Sequence, residues 1–550
     1  MRPMALRHLP GLLALCLPAL SCLPSHAGPA PEPMLRYTVQ PHDTLWDLSA
    51  RWFRRPASWS EVARLNRLPQ PDRLKPGQTL TLPLRLLKPE NVPATLSLVE
   101  GQVLLDGQAA QAGTPIQPGQ RVLAGAESSA VIRLGDGSSA SLPPQSEVEL
   151  AQHQRYALKA AQPVQDEGLY AATLRLLRGT LEVLATKAQR AKPLEVTTPT
   201  AVIGVRGTRY RVHADAPQAR TQTEVLEGRV WARNQAQPPA SAILEAGQGA
   251  VVRNEQPVMA QPLAAAPDLS SVPTRFERPL LRFTLPSLAG QVRVQIASDE
   301  GFLRIVRDLM LPAGEEAKIA GLADGHWFLR ARHVAADGLE GLDAVHPFVL
   351  KARPEPPPST APRPQARQSV GPVELAWTRN TEAARYHLQV ARDAAFQDIV
   401  AQKDDLSDTT HTVTLDTAGT YHWRLASERA DGDRGPWGDG QRFELRPLPE
   451  PPQVHTGEDG QIQLSWSARP DEKQQVELAR DPGFSSVVTS AELAGGQWTL
   501  PNLPVPGTYY FRYRYVDDQG FVSPWTAPLG VDVPVDWHML LLGAPLLFAL

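Results

Sequence analysis

The residues that usually carry out catalysis or bind metals do not form a familiar pattern in this 550-residue chain. There is no HExxH motif, no phosphate-binding loop and no GxSxG nucleophile motif, and the 13 histidines are scattered. Only two cysteines occur, Cys16 and Cys22, which excludes a disulfide scaffold and a cysteine-based zinc site. We therefore expect no catalytic residues, no metal and no cofactor. An enzyme would need a constellation outside these motifs.

Three closely spaced arginines, Arg206, Arg209 and Arg211, are candidates for binding an anion or a partner. The competing interpretation places them on the solvated face of a strand, where charged side chains are most often found. Gly204 and Gly207 in the same segment are predicted to supply turn geometry or a close contact between strands. The sequence favours the solvated face.

The length and composition predict several globular domains. A chain this long corresponds to roughly three to five domains of ordinary size. Proline occupies 54 of 550 positions, against a usual level of about 5 %, so we expect proline-rich segments between the domains. The hydrophobic and charged contents, 42 % and 21 %, exclude a disordered polyampholyte and a membrane bundle. The net charge of −3 excludes a generally basic nucleic-acid binder.

The N-terminus predicts export. Arg2 and Arg7 precede an apolar run over residues 9–20, and Ser25-His26-Ala27 offers a cleavage site between small residues. This layout is typical of a secretory signal peptide over residues 1–27, so we expect a periplasmic or cell-envelope protein. The alternative is a lipoprotein acylated at Cys22, although the residues before Cys22 fit a lipobox poorly.

The C-terminal residues 536–550 form an apolar tail. As a helix, residues 537–550 would rise only about 21 Å, short of the roughly 30 Å of a bilayer core. A weak membrane contact, a partner contact, a truncated anchor and a terminus without function all remain open.

Residues 35–88 predict a small β-α-α-β module with two antiparallel strands. Thr44-Leu45-Trp46-Asp47 and Ser58-Trp59-Ser60-Glu61 have the spacing of helix capping boxes, and apolar residues then recur at helical intervals. Pro76-Gly77 marks a turn into a second strand at residues 79–83. Because under fifty residues make a marginal core, this compact arrangement is the economical solution.

This module resembles the lysin motif, LysM, across nearly its whole length. The resemblance rests on residues 37–39, 43–48, 65–68 and 74–83. It implies a domain that binds N-acetylglucosamine-containing glycans, chiefly peptidoglycan or chitin, in a shallow groove between two loops. Carried over by position, the implied glycan-binding residues are Asp43, Thr44, Leu45, Asn66, Leu68, Pro69 and Leu74.

Two features of the module bear on that implied site. The family usually has glycine before the Asp-Thr pair, where this chain has His42, and this substitution is expected either to block close backbone approach or to alter the loop. Residues 35–88 contain ten Lys/Arg and four Asp/Glu, a balance of +6 in a chain whose total is −3. A basic module suits an anionic cell-wall polymer. The structural alternative is that Asp43, Thr44 and Asn66 only cap helices. A capping role does not exclude contact with a ligand.

Residues 92–253 predict an all-β roll or sandwich with tight glycine turns. Apolar residues alternate along residues 130–134 and 140–142, which are predicted to form a hairpin around Gly135-Asp136-Gly137. Residues 174–176 are expected to pair with residues 181–183 across a second turn at Arg178-Gly179. The segment resembles the FecR domain. The matching residues are 130–138, 178–183, 198–212, 224–230 and 246–249. The resemblance implies a periplasmic β domain that serves as an interaction module.

The C-terminal half contains a threefold repeat. Gln295-Ile296-Ala297-Ser298-Asp299-x-x-Phe302 recurs at offsets of 94 and then 88 residues, and Gly325-x-Trp327-x-x-Arg330 recurs at the same offsets. The predicted repeats span residues 276–352, 373–446 and 454–535. Proline-rich linkers at 254–275, 353–372 and 447–453 are expected to be extended spacers.

The repeats resemble fibronectin type III domains, which implies tandem β-sandwiches. Trp377 and Trp466 lie in the predicted early strand, and Pro436-Trp437 and Pro524-Trp525 precede the last strand. The first copy is divergent and has Phe283 near the Trp377 position. We expect these tryptophans to be core residues rather than sugar platforms.

The predicted fold class is therefore a mainly β multidomain protein. The predicted function is a non-catalytic, peptidoglycan-binding envelope protein whose β domains present a surface to an envelope protein that the sequence does not identify. The alternative is a periplasmic regulator whose FecR-like domain contacts a membrane sensor or a sigma-factor pathway.

Overall fold

A computed structural model describes residues 34–156, 169–188, 190–205, 207–215, 217–236, 241–254, 256–286, 290–457, 461–501, 503 and 505–533. Of these described residues, strands contain 53 % and helices 4 %, which confirms a mainly β multidomain protein. The predicted signal peptide, both cysteines and the apolar tail lie outside the described residues. No helix in the described ranges is long and apolar enough to cross a membrane.

The chain divides into two compact units. The first contains the described residues up to Asp268, together with Pro286–Gly314 and Phe328–Val345. The second contains Leu269–Leu285, Glu315–Trp327 and the described residues from His346 onward. The division runs through the first repeat, so part of that repeat packs with the domains that precede it.

The basic module (residues 35–88) has the predicted β-α-α-β order. Its strands pair antiparallel, with Tyr37 opposite Leu80. Leu45, Leu48 and Val62 are fully or almost fully buried in one apolar cluster. The elements are β1 Met34–Thr38, α1 Leu45–Trp52, a 3-10 turn Pro56–Ser58, α2 Trp59–Leu65, β2 Thr79–Pro83 and a 3-10 turn Leu84–Leu86.

The two predicted capping boxes have different outcomes. Thr44 caps α1 as expected, because its Oγ1 accepts from the backbone N–H of Asp47 at 3.1 Å. Ser58 makes no side-chain cap bond, so the second prediction is wrong. The 3-10 turn that begins at Pro56 runs directly into α2, which leaves Ser58 in a helical conformation rather than the extended one that a capping residue adopts.

The middle domain (residues 92–253) folds into a closed barrel of short strands. Its interior is a continuous apolar cluster that includes Leu96, Ile132, Leu174 and Ile203. The strands of this region are β3 Glu90–Asn91, β4 Ala94–Glu100, β5 Val103–Leu105, β6 Gln108–Ala109, β7 Pro115–Ile116, β8 Arg121–Ala124, β9 Ser129–Arg133, β10 Ser139–Leu142, β11 Glu147–Tyr156, β12 Leu169–Leu184, β13 Leu194–Thr197, β14 Ala201–Val205, β15 Arg209–Asp215, β16 Arg220–Glu227, β17 Arg229–Asn234, β18 Ser241–Glu245, β19 Gln248–Arg253 and β20 Gln261–Pro262.

Of the two hairpins predicted in the middle domain, one forms and one does not. β9 and β10 pair around the Gly135–Gly137 turn as expected. The predicted turn at Arg178-Gly179 is wrong, because β12 is one continuous strand. Before Gly179 this strand pairs with β11, and from Gly179 onward it pairs with β15. Gly179 has φ of +78°, so the glycine bends the strand from one sheet into the other instead of reversing it.

The first repeat contributes three paired strands to the first unit. β23 lies between β24 and the end of β26, antiparallel to both. In the second unit, β22 pairs with β25, and β21 runs parallel to β27. The strands of this repeat are β21 Arg275–Phe276, β22 Leu281–Thr284, β23 Gln291–Ala297, β24 Ile305–Pro312, β25 Glu316–Ile319, β26 Gly325–Val334 and β27 Ala344–Leu350.

The second and third repeats each consist of two sheets around an apolar core. Trp377 is buried, and Trp466 stacks on Tyr513 within its core, as expected. The expectation is wrong for Trp437 and Trp525, which are half-buried and lie against arginine side chains outside the apolar core. The strands are β28 Ser359–Ala361, β29 Arg367–Ser369, β30 Gly371–Trp377, β31 Arg385–Ala391, β32 Ile399–Leu406, β33 Thr410–Leu415, β34 Gly419–Glu428, β35 Gln441–Arg446, β36 Gln453–Thr456, β37 Ile462–Ser465, β38 Glu472–Ala479, β39 Val487–Leu493, β40 Gln497–Thr499, β41 Gly507–Asp517 and β42 Leu529–Val533.

The proline-rich segments differ from the expected spacers. β28 and β29 lie inside the predicted 353–372 linker, and each pairs with a strand of the second repeat. In the 447–453 segment, the carbonyls of Pro447 and Glu450 accept from the hydroxyls of Tyr515 and Tyr513. Proline excludes only its own N–H from a ladder, so the remaining groups of such a segment can still bond to a neighbouring sheet.

Candidate functional site

Two loops of the basic module carry the residues that the sequence predicts for glycan binding. The first loop, residues 40–44, joins β1 to α1, and the second, residues 66–78, joins α2 to β2. Backbone bonds hold them together at one point: the N–H of Val39 donates to Gln78 O and the N–H of Gly77 donates to Val39 O, both at 2.8 Å. Strand pairing therefore places the first loop beside the end of the second.

Asp43 and Thr44 are bonded within their own loop. Asp43 accepts from the Tyr37 hydroxyl at 2.5 Å and from the Gln40 N–H at 2.7 Å. Burial and this bond to Asp43 both raise the pKa of Tyr37, so the phenol stays protonated and keeps donating. Thr44 caps α1. Both side chains shape the loop, which fits the expectation that they act as structural groups whether or not they also touch a ligand.

The apolar residues of the predicted site divide by exposure. Leu45 is completely buried, so its side chain is unavailable to a ligand and only its backbone N–H, at the open start of α1, can serve. Leu68 and Leu74 are half-buried and pack on the same apolar cluster as Leu45. Pro69 is exposed. Leu68, Leu74 and Pro69 thus remain as candidate apolar contacts.

Asn66 has a structural role. Its amide nitrogen donates to Val62 O at 2.9 Å and Thr81 O at 2.8 Å, and its Oδ1 accepts from Thr81 N–H at 2.7 Å. Both amide protons are therefore used in joining the end of α2 to β2. A ligand could reach only one remaining lone pair of Oδ1.

His42 occupies the position where the LysM family usually has glycine. Its φ is +71°, in the left-handed region that glycine adopts without strain. The loop therefore keeps the backbone conformation of a glycine despite the substitution. The exposed imidazole is accommodated at the surface.

Trp46 is a candidate that the sequence reasoning missed. Its side chain is 62 % exposed although it lies next to the fully buried Leu45 on α1. An aromatic ring offers a broad apolar face with low entropy cost, which suits the faces of sugar rings. Its helical phase could have identified it, since it lies off the stripe formed by Leu45, Leu48 and Trp52.

All ten lysine and arginine side chains of the module are also exposed.

The arginines of the middle domain do not form the expected solvated face. Arg211 is buried to 1 % exposure and Arg209 is half-buried, whereas Arg206 lies outside the described residues. Arg211 Nη1 donates to Asp343 Oδ1 at 2.9 Å, so a carboxylate of the first repeat neutralises it. The glycines fulfil both predicted roles: Gly207 has φ of +70°, and a Cβ at Gly204 would lie 3.3 Å from the Trp231 ring.

Arg211 belongs to a larger group that we call the buried charge cluster. It joins strands β12, β15 and β16 of the middle domain to the strands of the first repeat that lie in the same unit. Arg330 donates to both oxygens of Glu182, at 2.7 and 3.1 Å. The cluster consists of Arg211, Arg293, Arg330, Arg332, Glu182, Glu224, Asp308, Glu340 and Asp343.

The charges of this cluster balance only if one carboxyl is protonated, since it holds five acids and four arginines. Burial raises the pKa of Glu224 to about 8, and Arg211 opposes that shift only in part. In contrast, Arg330 and Arg332 overcome the burial of Glu182, and its pKa is lowered. At neutral pH a protonated Glu224 leaves four negative and four positive groups, as a buried site requires.

Comparison with known families identifies two regions. Residues 37–83 match the LysM domain, and residues 120–231 match the FecR protein family. Both are non-catalytic binding or regulatory domains that are typical of envelope and periplasmic proteins. Comparison with curated proteins finds no match.

Solved structures show weaker similarities. A candidate anti-sigma factor from Parabacteroides distasonis is 15 % identical, with 26 % of this chain and 59 % of that chain covered and a TM-score of 0.20. The FN1–FN3 domains of chicken CNTN1 are 12 % identical, with 47 % and 95 % covered and a TM-score of 0.20. A cytokine receptor complex is 18 % identical, with 32 % and 98 % covered and a TM-score of 0.21. The present chain thus spans 59 % of the first of these structures.

Proposed function

We propose that this protein is a non-catalytic envelope protein that binds peptidoglycan through residues 37–83. The observation that carries the proposal is the LysM match over those residues, in a module with the expected β-α-α-β fold. In this proposal residues 1–27 are removed on export, and the three repeats are fibronectin type III-like domains that present an interaction surface.

Different residues of the two loops recognise different parts of an N-acetyl sugar. The backbone N–H groups of Leu45 and Trp46 at the start of α1 supply donors, because the first amides of a helix have no partner within it. Leu68, Leu74 and Pro69 supply apolar contact for the methyl group, and Trp46 packs against a sugar ring. Asp43, Thr44 and Asn66 hold the two loops in place. The exposed basic side chains attract an anionic polymer.

Retention on insoluble peptidoglycan tests this proposal. The full mature chain should sediment with peptidoglycan and remain in solution with cellulose, which has no acetamido group. Trp46→Ala should lower the retained fraction at least about fivefold, since an aromatic contact contributes on the order of 1 kcal/mol. Trp231→Ala, which removes a 38 % exposed tryptophan from the middle domain, is the matched control. Equal sedimentation with both polymers would contradict glycan recognition.

A second function is supported by the FecR match over residues 120–231. In this alternative the middle domain is a periplasmic signalling module that contacts a membrane sensor or a component of a sigma-factor pathway. Crosslinking in cells, followed by identification of the crosslinked peptides, separates the two. A crosslink from residues 120–231 to a membrane signalling protein supports the alternative, and unchanged signalling after deletion of the gene contradicts it.

A further inference from the structure

The three repeats build the same stack of side chains on one sheet. In each, an arginine guanidinium lies over a phenylalanine ring, with 4.5, 4.0 and 3.9 Å from the guanidinium carbon to the ring centre in chain order. The Nε of each arginine also donates to a side chain on the neighbouring strand. The three sets are Arg330, Phe302 and Gln295; Arg424, Phe396 and Gln389; and Arg512, Phe484 and Glu477. The fold thus brings together residues from the two sequence motifs that recur in each repeat. We call the surface around the arginine of each set the arginine face.

Backbone contacts extend this correspondence along the chain. The isolated bridges Val334–Glu340, Glu428–Arg434 and Val516–Val522 occur at the same offsets of 94 and 88 residues as the motifs. Glu340 of the first repeat therefore corresponds to Arg434 and Val522. Three residues further on, Asp343 corresponds to Trp437 and Trp525.

The first repeat shows what its arginine face binds. Arg330 makes its two-pronged contact with Glu182, a carboxylate that projects from strand β12 of the middle domain. Asp343, on the same face, accepts from Arg211 of strand β15. This face is thus buried against another β domain, and an arginine–carboxylate pair lies at its centre. Such pairs are directional and specific as well as charged.

The second repeat keeps one arginine of this face, gains another in place of an acid, and has no carboxylate at the corresponding positions. In the first repeat the six corresponding positions hold three arginines and three acids, a balance of zero: Arg293, Arg330, Arg332, Asp308, Glu340 and Asp343. In the second they hold two arginines and no acid, a balance of +2 with histidine neutral: His387, Arg424, Ala426, Gln402, Arg434 and Trp437. The third repeat also has +2 at these positions, but Glu477 pairs with Arg512 there at 2.5 Å.

Trp437 lies between the two arginines of the second repeat. The guanidinium carbons of Arg424 and Arg434 are 4.8 and 4.4 Å from its ring centre. Among the described residues neither arginine forms a salt bridge with a carboxylate. Asp404 and Glu428 bond to His387, and Glu277 and Asp404 attract Arg424 and Arg434 only from a longer distance. All three side chains are half-buried, so they are held in place and still reach solvent. A cationic, aromatic patch of this kind is complementary to carboxylates.

We propose that the arginine face of the second repeat, centred on Arg424, Trp437 and Arg434, is a docking site for an acidic segment of a partner protein. The proposal rests on the proposed role of the repeats as an interaction surface and is independent of glycan binding. A protein carboxylate is favoured over an anionic glycan because the same face of the first repeat receives Glu182.

The test is titration of the full mature chain with a synthetic decapeptide of glutamate, followed by calorimetry and tryptophan fluorescence. Arg434→Gln should weaken binding at least about fivefold, and Arg424→Gln with Arg434→Gln at least about twentyfold. Arg379→Gln, at an exposed site of the same repeat, is the matched control and should change affinity less than twofold. Thermal unfolding of each variant checks that the repeat remains folded. If the double variant does not fold, Arg434→Gln alone provides the test.

Three results would overturn the proposal. The first is no measurable peptide binding by the unmodified chain. The second is an equal loss of affinity in Arg379→Gln and Arg434→Gln, which would show general charge attraction. The third is equally tight binding of a polygalacturonate with the same number of carboxylates, which would assign the face to glycans. Sedimentation of the same samples with peptidoglycan separates these outcomes from a failure of the LysM proposal, because the arginine variants should sediment like the unmodified chain.

Discussion

Replacement of Glu224 by glutamine should change how the stability of the first unit depends on pH. Glu224 is 1 % exposed, accepts from the Glu340 N–H at 3.2 Å and lies 3.7 Å from Arg211 Nε. Burial raises its pKa to about 8, with Arg211 opposing. Glutamine has nearly the same shape and keeps an acceptor oxygen, but it fixes the group in the uncharged form. The substitution therefore isolates the effect of one proton.

The sign and size follow from linkage. Between about pH 4.5, where the unfolded side chain titrates, and about pH 8, the folded state holds a proton that the unfolded state has lost. This contribution to stability is complete below pH 4.5 and is lost as the pH rises through 8. Each pH unit corresponds to about 1.4 kcal/mol, so the loss has a ceiling of about 5 kcal/mol. Rearrangement around the charged form lowers the actual value.

Three other acids of the cluster act in the opposite direction. Burial alone would raise the pKa of Glu182, Glu340 and Asp343, but nearby arginines overcome it and lower all three. Their stabilising contribution is present above their ordinary pKa and is lost as the pH falls. Burial also lowers the pKa of His153, His213 and His333 in the same unit, and their contribution is likewise lost as the pH falls. The difference between the variant and the unmodified chain, rather than the pH of maximum stability, therefore isolates the proton of Glu224.

Native-state hydrogen exchange of strand β16 in the full chain, at increasing urea, measures this free energy. The difference between Glu224→Gln and the unmodified chain should be near zero at pH 5 and reach at least about 2 kcal/mol in favour of glutamine at pH 8. Glu227→Gln lies on the same strand with a side chain 69 % exposed, and should stay within about 0.5 kcal/mol at every pH. A difference that does not grow between pH 5 and pH 8 would refute the assignment of the proton to Glu224.

Three further substitutions test local features by hydrogen exchange in the full chain. His42→Gly should stabilise the basic module by about 1 kcal/mol because φ is +71° there, and a loss of stability would contradict the strain. Asn66→Ala should cost about 2–3 kcal/mol, since it removes one hydrogen bond to Val62 of α2 and two to Thr81 of β2. Protection of β2 equal to that of the unmodified chain would count against this role. Gly179→Ala should cost at least about 2 kcal/mol, because the added Cβ would lie within 2.8 Å of Ser146 and Gln145 and the backbone φ is +78°. A neutral effect would show that β12 can straighten.

The sequence predicted features that depend on neighbouring residues. The cap at Thr44, the apolar stripe of α1 and the β9–β10 turn all follow from spacing within a few residues, and each forms as expected. Gly179 shows the limit of this reasoning. A positive φ is compatible with a turn or with a bend inside a strand, and only the partners on either side decide between them.

The buried charge cluster could not be predicted in this way. Arg330 and Glu182 are 148 residues apart, and each looks like an ordinary surface charge on an alternating strand. The same is true of Arg211, for which the solvated face was the better prediction from the sequence alone. Burial of a charge depends on which surface covers the strand, and no local pattern records that. A buried arginine–carboxylate pair contributes specificity more reliably than stability, because desolvation offsets much of the attraction.

The cluster also gives a physical reason for the divergence of the first repeat. Where the later repeats have Trp437 and Trp525, the first has Asp343, which accepts from both Arg211 and Arg332. A tryptophan at position 343 would pack on Arg330 of the same repeat, as Trp437 packs on Arg424. Arg211 would then lack the carboxylate of Asp343. The first repeat therefore differs from the other two at the positions that face the middle domain. The stack of arginine on phenylalanine, which lies beneath that surface, is the part that all three share.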